Sequence, residues 1–110
     1  MRNGFEKSTY DFWEGNRECW WCGLEVVIDP KKMIGERVDA LHHILGRVSN
    51  SIYNSAPIHN FSCHLENGKI NKRETIKRFL KKTADYLAMA GYQLKQKDIK
   101  FLKYADKYKA

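Results

Sequence analysis

The chain has 110 residues, 43% hydrophobic and 30% charged, with 20 Lys and Arg against 13 Asp and Glu and a formal net charge of +7. A chain this short is one domain, 1–110, and buries only about two-thirds of the surface its unfolded form exposes, so a metal or other staple adds usefully to a small core. No window approaches the roughly 18 to 20 apolar residues that cross a bilayer, the N-terminus lacks the apolar core of a secretion signal, and three cysteines cannot all pair in disulfides, which together predict a soluble cytoplasmic protein with no membrane partner.

Charge is divided unevenly: residues 1–68 hold 7 Lys and Arg against 9 Asp and Glu, whereas 69–110 hold 13 against 4. A cationic segment suits a polyanionic partner, because Lys and Arg that neutralise phosphates release condensed counterions. A solvated helical face is the competing reading, since charge alone says little about role.

In chain order, residues 1–18 are polar with scattered aromatics and no sustained period, which predicts a packed extension. Cys19-x-x-Cys22-Gly23 has the spacing that lets two thiolates of one tight turn grip a tetrahedral ion, a zinc knuckle by shape. A redox reading of the same motif would need a βαβ setting, which is absent. Trp20 and Trp21, between the cysteines, complete a small core or stack on bases. Leu24 to Ile28 is short, apolar and β-branched, a strand stopped by Asp29 and Pro30. Glu36 to Ile44 and Ile52 to Ile58 form the arms of a β-hairpin with a long loop containing Gly46.

Residues 63–67 begin a short helix that Gly68 ends. Asn71 and Glu74 have the spacing of a capping box. A long helix follows, with Ile76, Phe79, Leu80, Thr83, Leu87 and Ala90 on one side and Arg73, Lys77, Arg78, Lys81 and Lys82 on the other, ending at Gly91. Asp98 caps a last helix whose buried stripe is predicted to be Ile99, Leu102, Ala105 and Tyr108, flanked by Phe101 and Tyr104.

The stretch Asp39 to His64 carries all four histidines and the third cysteine. Its histidine pair His42-His43, its Asn54 and its Cys63-His64 step, with Cys19-x-x-Cys22 upstream, resemble the zinc-bearing, phage-type HNH endonucleases of the ββα-metal superfamily over residues 19–68. The resemblance implies an α+β fold: a ββα-metal centre stapled by a structural zinc, followed by two helices in the basic extension 69–110. It implies that His42 and His64 ligate a catalytic Mg²⁺ or other divalent cation, that His43 is the general base, and that Asn54, preferred to Asn50 and Asn60, braces the loop or lends an oxygen to the site. The structural zinc would be held by Cys19, Cys22, Cys63 and His59; three unmetallated thiols is the alternative. The family commonly closes the zinc site with a second Cys-x-x-Cys, where this chain has His59-x-x-x-Cys63. Some members, the nuclease colicins among them, carry a further helical histidine where Gly68 stands here, so Asn67 or Asp39 would have to add a ligand if one is needed.

The implied activity is hydrolysis of phosphodiester bonds in double-stranded DNA, leaving 5′-phosphate and 3′-hydroxyl ends. Imidazole suits the base because its ordinary pKa, about 6.5, leaves it neutral and proton-accepting near neutrality. Phosphates would meet Arg47, placed to grip one bidentately or to form a surface salt bridge, and the cations Arg73, Lys77, Arg78, Lys81 and Lys82. The alternative function is a zinc-stabilised nucleic-acid-binding module that does not cleave. A monomer is compatible with the sequence, which does not fix the oligomeric state.

Overall fold

The computed structural model describes residues 5–29, 40–46, 48–59 and 72–108. The expectations for Asp39, Arg47, Asn60, the 63–67 helix with Cys63, His64 and Asn67, and the Asn71 cap lie outside the described residues. The architecture is mixed helix and strand. In chain order come helix α1 (Lys7–Trp13), strands β1 (Gly15–Glu18), β2 (Glu25–Ile28) and β3 (Ala40–His43), a 3₁₀ turn (Ile52–Asn54), strand β4 (Ser55–Ile58), helix α2 (Arg73–Met89), helix α3 (Gln96–Ala105) and a closing 3₁₀ turn (Asp106–Tyr108). The strands form two antiparallel pairs, β1 with β2 and β3 with β4.

The N-terminal segment differs from the expected extension, because it folds into α1 and β1. Seven residues carry too few turns for a helical period to show, and only Thr9, Tyr10 and Trp13 are buried. What ends the helix is remote in type if not in sequence. The half-buried Arg17 of β1 turns its guanidinium onto the last carbonyls, with Nε donating to Trp13 O at 2.9 Å and Nη2 to Phe12 O at 2.9 Å and Glu14 O at 3.2 Å. A cation there satisfies orphan acceptors and meets the negative end of the helix dipole. Nη1 donates to Tyr86 of α2 at 2.9 Å, so one side chain joins α1, β1 and α2.

The second strand follows the sequence reading closely, with Val26 and Ile28 buried and Glu25 and Val27 exposed in strict alternation. The hairpin of β3 and β4 also forms, in the register His42 to Ala56 and His43 to Ser55. Its second arm is shorter than Ile52 to Ile58, because Ile52–Asn54 coil into the 3₁₀ turn. All four residues of β4 are buried, placing this strand at the centre of the core.

Helix α2 buries Thr75, Phe79, Leu80, Thr83 and Leu87 against that core. Gly91, at φ +76°, ends it with Tyr92 N–H donating to Leu87 O at 3.0 Å; the expected Ala90 is exposed. The last helix is rotated from its expected setting. Asp98, Phe101 and Ala105 are buried, while Ile99 is 41% exposed and Tyr104 45%. Asp98 decides this orientation: at the third helical position its carboxylate accepts from Lys95 N, Ser51 Oγ (2.6 Å) and the Tyr92 hydroxyl (3.0 Å), and it is fully buried. Hydrogen bonds aimed at a carboxylate compensate its burial, and turning that side chain inward turns Ile99 out.

One buried polar chain locks these layers. Trp20 Nε1–H donates to Thr83 Oγ1 at 2.8 Å, and the Thr83 hydroxyl donates to Ser55 O at 2.9 Å. Trp13 Nε1–H donates to Ser55 Oγ at 2.9 Å, and that hydroxyl donates onward to Ile52 O. Thr83→Val keeps the volume but strands the Trp20 indole N–H and the Ser55 carbonyl. It should cost about 1 to 3 kcal/mol and lower the melting temperature by at least about 4 °C in thermal denaturation followed by circular dichroism; an unchanged melt would mean that the chain of hydroxyls contributes nothing.

Candidate metal centre and histidine hairpin

The turn between β1 and β2 is built for close approach of its two cysteines. Cys19 N–H donates to Leu24 O at 2.9 Å and Gly23 N–H to Cys19 O at 3.0 Å, with Gly23 at φ +82°, a conformation costly for a residue with a Cβ. Trp20 N–H donates to Pro57 O at 2.9 Å and so fastens the turn to β4. The residue that follows β4 is His59, and the three donor atoms of Cys19, Cys22 and His59 all lie within 4.8 Å of one another. The group can hold a metal such as zinc.

Two details suit it to that task. His59 Nε2 lies 2.7 Å from Glu25 O, a carbonyl that can only accept, so the proton sits on Nε2 and the lone pair of Nδ1 faces the sulfurs, 3.3 Å from Cys22 Sγ. A backbone carbonyl fixing the far nitrogen is the usual way a protein orients a ligating imidazole. Burial pushes the Cys19 thiol up, but hydrogen bonds from the backbone N–H groups of Cys22, His59 and Trp21 and from the Cys22 side chain outweigh it and bring the pKa down to about 7. A thiol close to ionised at neutrality is a ready soft-metal ligand. Cys63, expected to complete the set, lies outside the described residues.

The histidine pair occupies the other end of the same hairpin. His43 is opposite Ser55 and His59 follows Ile58, so the register separates the two by four residues of strand, about 13 Å. Both histidines lie within the ladder. His42 is buried with its ring edge-on to Phe79 of α2, whereas the His43 ring is stacked on Phe5 at 3.8 Å and 6°, and the Nε2 atoms of both are shielded from solvent. Regular strand geometry sends their side chains to opposite faces, so a shared site requires the ladder to open beyond His42.

Asn54 takes the bracing role. Fully buried, it accepts from Leu45 N at 2.9 Å through Oδ1, and through Nδ2 donates to Gly46 O at 3.0 Å and Ser49 O at 2.9 Å. Its side chain thus holds the connection directly after the histidine pair in shape; Asn50, by contrast, is exposed.

The cations proposed for phosphate contact are distributed over the surface of α2. Arg73 donates to Lys107 O at 2.8 Å, Arg78 lies over the Trp21 ring at 5.3 Å, Lys81 pairs with Asp85 at 2.8 Å, and Lys82 lies over the Trp20 ring at 4.9 Å and 3.7 Å from Glu18. Lys77 is exposed beside an apolar cleft between α2 and α3. Trp20 is a core residue, which removes it as a base-stacking platform. Arg17, which organises one face of the molecule, carries no sequence signal, since its role depends on partners brought up by the fold; Asp98 is legible as a helix cap but not as the buried partner of Ser51 and Tyr92.

These features define a small α+β protein with a Cys₂His group able to hold a metal beside a histidine-bearing hairpin; among the described residues no helix is long and apolar enough to cross a membrane. Comparison with known family models, characterised proteins and solved structures finds no match.

The purified protein should carry about one zinc per chain, measured by elemental analysis. Cys22→Ser should lose it and unfold less cooperatively, because metal binding and folding are coupled. Retention should fail on acidification, as protons compete with the metal for the cysteine thiolates. Without metal the same sign holds: the folded thiol ionises at about 7, below the ordinary thiol value of 9.0, so its contribution to stability is fully present above pH 9 and is lost as pH falls through about 7. A Cys22→Ser protein with full zinc content and an unaltered melt would place the metal elsewhere.

Proposed function

We propose that the protein is a metal-dependent HNH-type DNA endonuclease whose Cys19, Cys22 and His59 hold a structural zinc, with Cys63 as the fourth ligand. The single observation that carries the reading is the end of the β3–β4 hairpin, where His42-His43 run into a turn held by the three hydrogen bonds of Asn54. That combination of a histidine pair and a buried loop-bracing asparagine is what a site needs in order to hold a water and a phosphate in fixed relation. In the proposed reaction His43 accepts a proton from the attacking water, His42 positions the substrate end of the hairpin, and Asn54 keeps the turn from relaxing. A divalent cation on His42 and His64, when bound, would stabilise charge growing on the phosphate and the leaving oxygen. Of these two ligands only His42 lies among the described residues, so the cation enters through the resemblance alone. The basic segment 69–110, with Arg47, would supply phosphate contacts to double-stranded DNA.

The second reading is a zinc-stabilised nucleic-acid-binding module without cleavage. It is favoured by the packing of the two rings on Phe79 and Phe5, which makes them serviceable core residues. Supercoiled plasmid incubated with Mg²⁺ or Mn²⁺, with EDTA as control, separates the two. Under the nuclease reading His43→Ala should lower the cleavage rate by about 10²- to 10⁴-fold while zinc content and DNA binding persist, and added metal should not restore it. His42→Ala should be partly rescued by raising the metal concentration. Wild-type protein that binds DNA but never cuts it leaves the binding module as the function.

A further inference from the structure

The connection from β3 to β4 and the outer face of α3 enclose an open groove of about 280 Å³, lined by Val48, Ser49, Lys97, Lys100, Phe101 and Tyr104. We propose that this groove seats a single strand of DNA, with Tyr104 as a stacking platform for one base and Lys100 at a neighbouring phosphate. The proposal rests on the nucleic-acid reading above and assigns it a contact surface on α3, a helix that the α2 cations leave out.

The groove is preformed. Its loop wall is fixed by Asn54 Nδ2 donating to Ser49 O at 2.9 Å and by Ser51 N–H donating to Ser49 Oγ at 3.0 Å. Its helix wall is tied to that loop by Ser51 Oγ donating to Asp98 Oδ1 at 2.6 Å. The same asparagine therefore holds the turn after His42-His43 and one edge of the groove, which sets the groove beside that turn. A site whose walls are already ordered loses less entropy on binding.

Its electrostatics are one-sided. Within α3 the three lysines Lys97, Lys100 and Lys103 outnumber the one acid, Asp98, which is fully buried with its oxygens engaged by three donors and so forms no surface ion pair with them. Lys97 pairs with Glu6, but Lys100 makes no ion pair or hydrogen bond among the described residues. The apolar part is equally specific. Phe101 forms a buried floor, while Val48 and Tyr104 are 55% and 45% exposed beside it. The Lys107 ammonium lies 4.4 Å from the Tyr104 ring centroid, adding positive charge at the platform. Lys100 and Tyr104 are four residues apart on one helical stripe, about 6 Å along the axis, so a base on the ring and a phosphate on the ammonium belong to one short stretch of strand. A positive groove with an exposed aromatic binds unpaired strands with little sequence preference. A duplex, being convex, would touch only the rim.

Fluorescence anisotropy with a labelled oligothymidylate of about ten nucleotides tests this on the full chain. Tyr104→Ala should weaken binding on the order of tenfold while Tyr104→Phe binds as the wild type does, since the ring and not the hydroxyl is used. Lys100→Ala should flatten the salt dependence by about 0.7 in the log–log slope, the loss of one single-strand phosphate contact. Lys103→Ala, a charge-matched change at a lysine that lines a separate cleft with Leu94, Ile99, Leu102 and Asp106, should leave the tyrosine effect in place. These side chains are at the surface, and a parallel melt confirms that each variant is folded. Tyr104→Ala and Lys100→Ala proteins that bind the oligonucleotide as the wild type does would overturn the groove and leave the nuclease reading standing; wild-type protein with no affinity for any DNA overturns both.

Discussion

Ser55 is where the separate pieces of this protein are made into one. Its hydroxyl accepts from Trp13 and donates to Ile52 O, while its carbonyl accepts from Thr83, whose own hydroxyl accepts from Trp20. In four hydrogen bonds, all buried, α1, the cysteine turn and α2 are referred to the first residue of β4. Two indoles of this size bring large apolar area into the core but carry an N–H that cannot be left dry. A serine and a threonine are the smallest side chains that can take such a proton and pass one on. The edge-to-face packing of Trp13 on Trp20, with centroids 5.8 Å apart, follows from both rings pointing their nitrogens at this chain.

From that anchor the two candidate sites fall at opposite ends of one hairpin. Ser55 sits opposite His43, so the clamp lies directly under the histidine end. At the other end Ile58 delivers His59 to the cysteine turn, which is itself held to β4 by the Trp20 to Pro57 hydrogen bond. The cysteine–histidine group thus pins the open end of the strands, where two short arms alone would fray, since an isolated two-stranded hairpin is marginal in water. Asn54 and the Asp98–Ser51 pair pin the turn end. The Tyr92 hydroxyl joins this second cluster as a donor to Asp98; its burial, with the neighbouring carboxylate, pushes its pKa up to about 12, so it remains a donor throughout the physiological range.

How far the sequence reveals this follows from where each signal resides. Strand β2, the β3–β4 hairpin and α2 are legible because their patterns are local: alternating Val26 and Ile28, two apolar arms around a glycine-bearing loop, and a stripe from Phe79 to Leu87 closed by Gly91. The Cys19, Cys22 and His59 group is legible from ligand chemistry and spacing. Helix α1 and strand β1 are not, because each is too short for a period and is held by Arg17 and Trp13 reaching partners 40 or more residues away, Ser55 and Tyr86. The rotation of α3 is illegible for another reason. Hydropathy favours Ile99 inside and Asp98 outside, and three donors supplied by Ser51, Tyr92 and Lys95 reverse that preference. A buried carboxylate with all its partners in place is a tertiary fact that no single segment announces.

The segregation of charge along the chain acquires a spatial meaning once the helices pack. Cations of α2 lie across the cysteine turn, with Arg78 over Trp21 and Lys82 over Trp20, their stems covering aromatic surface while their heads remain near solvent. Their intramolecular partners do not disqualify them from meeting a polyanion. The Lys81–Asp85 pair is 77% and 62% exposed and the Lys82–Glu18 pair 43% and 63%, and pairs of this kind contribute about 0 to 1 kcal/mol. Each phosphate neutralised releases counterions from a nucleic acid, a driving force that grows with every contact at low salt. Under the proposed nucleic-acid reading, the exchange would therefore favour the polyanion at sites where only a surface pair is lost. It does so less at Arg73 and Arg78, where a carbonyl or a ring would be uncovered, and most at lysines such as Lys77 and Lys100 that have no ion pair to break among the described residues.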